Sequence, residues 1–100
     1  MLTINKNINE GTAVYSLSGR LDTVTAPELE EDLTAVIPSI SALELDFSGV
    51  DYISSAGLRV LLTSQKQMTK KGGSLKLTHV DSMIMGIFEM TGFAEILTIE

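Results

Sequence analysis

Asp51-Tyr52-Ile53-Ser54-Ser55-Ala56-Gly57-Leu58-Arg59-Val60-Leu61-Leu62 is the stretch that decides how this chain folds. Upstream, Leu43, Leu45 and Phe47 alternate with Ala42, Glu44 and Asp46, the two-residue period of a strand; Ser48-Gly49-Val50-Asp51 breaks it. From Ser55 the period becomes helical, with Leu58, Leu61, Leu62, Gln65 and Met68 on one face. Lys70 and Lys71 fall in the last turn, where cations are favoured, and Gly72-Gly73 supplies the stop. Two hydroxyls therefore stand at a strand-to-helix turn, with Gly57 just inside the first helical turn. Helix starts expose free N–H groups and a positive dipole end, which favour anions. A serine there is a plain helix cap or a place for a phosphate.

Outward from this block the same alternation of elements continues. Leu2, Ile4 and Ile8 alternate loosely, Asn9-Glu10-Gly11 signals a turn, and Ala13 to Ser18 reads as a second strand, so the chain opens with a hairpin. Gly19 to Val24 reads as a loop. Thr25 and Glu28 have the spacing of a capping box, with Pro27 early enough to be tolerated. Leu29, Leu33, Val36 and Ile37 then form a helical stripe that Pro38 ends. Beyond Gly73, Leu75, Leu77 and His79 alternate in a strand. Asp81 caps a short helix carrying Ile84, Ile87 and Phe88, ended by Gly92, and Ile96 to Ile99 reads as a last strand. The order β-β-α-β-α-β-α-β predicts a single α/β domain over residues 1–100. Its sheet is mainly parallel, with four or five strands and an antiparallel strand at one edge.

Composition narrows the chemistry. With 44% hydrophobic residues in 100, the chain can bury a real core. It has no cysteine, so neither a disulfide framework nor a thiolate metal site is available, which fits a reducing cytosol. No signal peptide and no membrane span are legible. Seven basic residues are scattered through a chain of net charge −6, which argues against nucleic acid and anionic membranes as partners. Acidity of this size favours a soluble monomer.

Each chemical candidate has a plain structural alternative. Ser54 and Ser55 are helix caps or phosphoacceptors, and both can hold at once. Gly57 costs helix stability yet lets another chain approach the backbone. Asp22, Asp46 and Asp51 lie near strand ends, where ligands gather in open α/β sheets, but as turn and cap residues they need no ligand. A triad of a serine, His79 and an acid lacks the G-x-S-x-G elbow. Gly72-Gly73-Ser74 follows its lysines, the reverse of a phosphate loop. The acids Glu28, Glu30, Glu31 and Asp32 read as a solvated helix face. Met83, Met85 and Met90 crowd a helix too short to bury them all, which suits them to gap-filling or to a partner surface.

Four segments together resemble the bacterial anti-sigma-factor antagonists, the stand-alone STAS domains. They are Tyr15-Ser16-Leu17-Ser18-Gly19-Arg20-Leu21-Asp22, Leu43-Glu44-Leu45-Asp46-Phe47, Tyr52-Ile53-Ser54-Ser55-Ala56-Gly57-Leu58 and Ile87-Phe88-Glu89-Met90-Thr91-Gly92-Phe93. The resemblance implies a STAS-like fold and a cytoplasmic partner switch rather than an enzyme. The serine two positions before Gly-Leu, here Ser55, is the one phosphorylated by the anti-sigma factor, an ATP-dependent serine kinase; a PP2C-type phosphatase resets it. ATP and magnesium belong to the kinase, so the chain itself needs no cofactor or metal. Asp22, Ser55, Gly57 and Leu58 match positions at or near the partner-binding surface, and Ile87 is a further carry-over. Many members carry an acid where this chain has Ser54, and some have a small residue at the position of Arg59. Two alternatives stand beside this one. One is a STAS module outside sigma control, in a stressosome or as a lipid-transport accessory; the other is a small hydrolase using Asp46, Ser55 and His79.

Overall fold

A computed structural model describes all residues, 1–100. Five strands form one sheet in the order β1-β2-β3-β4-β5: β1 Leu2–Asn9, β2 Thr12–Leu21, β3 Ala42–Ile53, β4 Ser74–Thr78 and β5 Thr98–Ile99. The opening hairpin is antiparallel and every later pairing is parallel, as the element order predicts. The helices are α1 Ala26–Val36, which runs into a 3-10 turn at Ile37–Ser39, α2 Ser55–Lys70, α3 Ser82–Thr91 and α4 Phe93–Ile96.

Parallel sheets usually carry helices on both faces, and their strands then read as continuous apolar runs. Here the strands alternate, and the structure obeys the alternation. Tyr15, Leu17, Leu43, Leu45, Phe47, Leu75 and Leu77 are buried in one apolar cluster with the inner sides of the helices. Phe47 meets Phe88 of α3 with ring centroids 6.4 Å apart. The opposite face is polar and solvated, with Lys76 3.8 Å from Glu44 and 3.6 Å from Glu100, and the Thr78 hydroxyl donating to Glu44.

Several local expectations give way. Gly19-Arg20-Leu21 is strand, not loop, and β3 continues through Ser48 to Asp51. The pairing of β2 with β3 slips twice, between Ser16 and Ser18 and between Gly19 and Arg20, so β3 accommodates its polar break as bulges. The capping box at Thr25 does not form: the Thr25 side chain makes no cap bond, and its hydroxyl donates to the Arg20 carbonyl instead. The buried stripe of α2 is Gly57, Val60, Leu61, Ser64 and Met68, rotated from the expected one, with Leu58, Leu62 and Gln65 on its flank. Lys71 follows α2 as its C-cap, and its ammonium ties down the carbonyls of Ile37 and Ile40. His79 falls just outside β4, with φ +56°. Gly92, at φ +83°, ends α3 as expected, but α4 follows it directly and shortens the last strand to two residues. Met83 and Met90 stay exposed on α3 while Ile84 and Phe88 fill the core.

Candidate functional site: the start of the second helix

The ends of β2 and β3 converge on Ser55. Leu21 pairs with Ile53, and the Ser54 amide donates to the Leu21 carbonyl at 2.9 Å, tying the helix start to the neighbouring strand. Ser54, in extended backbone, is the N-cap; its hydroxyl oxygen accepts from the Gly57 amide at 3.4 Å. Ser55 is the first helical residue and is exposed, with no side-chain hydrogen bond. The two serines thus divide the roles that the sequence leaves undivided: one caps, the other faces water.

Gly57 has a different part from the one expected. It is buried, and a Cβ there would lie 2.8 Å from Leu21 Cγ, 2.9 Å from Ile53 Cγ1 and 3.0 Å from the Leu21 carbonyl oxygen. The glycine lets α2 press onto the strand ends; it opens nothing to an outside chain. Leu58, half-buried, packs against the core.

Asp22 closes the other side of the rim. Its Oδ1 accepts from the amides of Val24 and Thr25 at 3.0 Å each and from the Thr25 hydroxyl, and Arg20 Nε lies 3.5 Å from Oδ2. The Thr25 amide foremost, with the other donors, holds this carboxyl below its ordinary range. Above it, the Arg20 guanidinium sits 4.0 Å over the ring of Tyr52. Val24, 79% exposed, and Tyr52, 41% exposed, add apolar surface beside the two polar residues. A valine in a polar turn and a tyrosine next to Ile53 are the signals that could have pointed to them.

Asp22 and Ser55 are therefore brought together, while Ile87 lies on a separate element, half-buried on α3. The triad of Asp46, Ser55 and His79 is not assembled. His79 Nδ1 sits 3.1 Å from Asp46 Oδ1, but Ser55 follows a further seven strand residues of β3, roughly 20 Å away. The Ser48 amide chiefly, and then His79, lower the Asp46 carboxyl. Asp51 is exposed. Asp32 is no mere solvated residue: it pairs with Lys6 at 2.8 Å and accepts the Tyr15 hydroxyl at 2.6 Å. No three His, Asp or Glu side chains group as a metal site requires, and no helix is long and apolar enough to cross a membrane.

The STAS domain family model matches residues 3–100. This chain belongs to the STAS domain family. The domain is 31% identical over 100 residues to the anti-sigma-B factor antagonist of Bacillus subtilis, covering 98% of this chain and 92% of that one. Among solved structures, an anti-sigma factor antagonist from Mycobacterium paratuberculosis superposes with a TM-score of 0.87 at 29% identity, covering 99% of this STAS domain and 85% of its own chain. The phosphorylated form of the Bacillus cell fate determinant SpoIIAA gives 0.79 at 15% identity, with 98% and 91% covered; that likeness is one of fold.

Proposed function

We propose that this STAS domain is an anti-sigma factor antagonist, a binding module that works in the cytoplasm by exchanging partners. It binds an anti-sigma factor that is also a serine kinase, through the rim formed by Asp22, Ser55 and Leu58, with Ile87 on α3 as an outlying contact. Gly57 serves that surface from below by seating the helix start. Phosphorylation of Ser55 releases the partner, and a PP2C-type phosphatase restores binding. Two things support this: the relatives above are antagonists of anti-sigma factors, and the exposed hydroxyl is the one not occupied in capping.

The energetics suit a switch of this kind. A phosphoryl group adds about −1.5 to −2 charges. Covering such a charge with a partner costs several kcal/mol unless a cation meets it, and each 1.4 kcal/mol is tenfold in affinity. One modification can therefore end binding while the fold persists.

Incubation with the cognate anti-sigma kinase, ATP and magnesium should label the wild-type protein on Ser55, as read by mass spectrometry, and leave Ser55→Ala unlabelled. Ser55→Asp should bind the kinase at least tenfold more weakly by calorimetry. Label that persists in Ser55→Ala, or unchanged affinity in Ser55→Asp, would refute the proposal.

A further inference from the structure

We propose that Arg59 is the resident counter-ion for a phosphate on Ser55, an inference that rests on the reading of Ser55 as the phosphorylated residue. Ser55 and Arg59 are four residues apart on α2, and both are exposed. That spacing puts their Cβ atoms about 5–6 Å apart, with the anionic member nearer the N-terminus, the more favourable order. Arg59 has no ion pair in the structure, whereas Lys6, Arg20 and Lys76 are held by carboxylates and Lys71 by backbone carbonyls. Arg20, the other arginine near the site, is already committed to Asp22 and to the Tyr52 ring.

The charge layout isolates Arg59 further. Helix α2 carries Arg59, Lys66 and Lys70 and no acid, while α1 carries Glu28, Glu30, Glu31 and Asp32. Glu30 lines the shallow groove between α1 and α2 together with Arg59, so it is the carboxylate placed to compete. It carries one charge and makes no ion pair with Arg59, whereas a phosphate offers nearly two, with oxygens spaced for the guanidinium fork. Modification thus changes the rim twice: a dianion appears, and a free guanidinium that an acidic group of the partner could use is withdrawn.

The test bypasses the kinase. Phosphoserine is installed at position 55 by codon reassignment in wild type, Arg59→Gln and Arg59→Lys, and the phosphate is titrated by phosphorus NMR. Its second ionisation should fall lower in wild type than in Arg59→Gln by roughly half a unit, with Arg59→Lys between them. The gap should close in about 1 M salt. Unmodified Arg59→Gln should melt like wild type, since Arg59 holds nothing there. Identical titrations in all three proteins overturn the ion pair and leave phosphorylation of Ser55 standing. Absence of kinase labelling with a clear NMR gap overturns the proposed function and leaves the pairing standing.

Discussion

At the scale of single residues, the neighbouring serines and the glycine after them show how closely one turn separates its duties. Ser54 accepts one amide through a long cap bond, so Ser54→Ala should cost only about 0.5 kcal/mol in denaturant titrations and leave labelling of Ser55 intact. Gly57→Ala tests the opposite case. Alanine gains about 1 kcal/mol in helix propensity, but its methyl would press on Leu21 and Ile53, and overpacking costs about 1–3 kcal/mol. The expected result is a net loss of roughly 1 kcal/mol by chemical denaturation. From sequence alone, Gly57 looks like an opening for a partner, because a glycine leaves no mark of which side it faces. Only the placement of Leu21, thirty-six residues earlier, shows that the close approach comes from inside.

At the scale of elements, legibility followed how many independent cues each one carried. The alternation of Leu43, Leu45 and Phe47, and Asp81 before Ile84, Ile87 and Phe88, appear in the structure, whereas Pro38 is no clean stop: α1 ends at Val36 and Pro38 sits inside the 3-10 turn Ile37–Ser39. Asp81 accepts the Ile84 amide at 2.8 Å, so Asp81→Ala should destabilise the domain by about 1 kcal/mol and speed amide exchange in the first turn of α3. The missed features share a cause: short-range polar residues had two possible partners. Thr25 satisfies the turn at Asp22 instead of its own helix, and Ser48 bonds Asp46 while the strand bulges onward. Helix α4, four residues directly after a glycine stop, has too short a period to be seen. In α2 the apolar residues wrap more than one face, and Leu21 and Ile53 against Gly57 decide which side turns inward.

At the scale of the whole molecule, acid stability follows from three carboxyls held below their ordinary value of 3.8. Amide donors lower Asp22 and Asp46; at Asp32 burial opposes the shift, and the bonds from Lys6 and Tyr15 outweigh it. Because the folded values are depressed, the unfolded chain binds more protons. The stabilisation is complete above the unfolded value and is lost as pH falls below about 4 through the folded values. Unfolding free energy measured from pH 7 to pH 3 should drop over that range, and Asp32→Asn should flatten the drop. Tyr15 gives the opposite limb: burial foremost, with its bond to Asp32, raises its phenol above the ordinary 10.0. Stability is intact below about pH 10 and declines as pH climbs from there toward the folded value.

The bond between the Ser54 amide and the Leu21 carbonyl carries one more implication. A loop free to rearrange could report its chemical state by changing shape, after a delay set by that motion. This corner is bolted to the sheet and wedged over a bare glycine, so a label fixed to it cannot travel. Were Ser55 phosphorylated, an approaching molecule would meet an altered electric field on an unaltered backbone, legible at the first encounter.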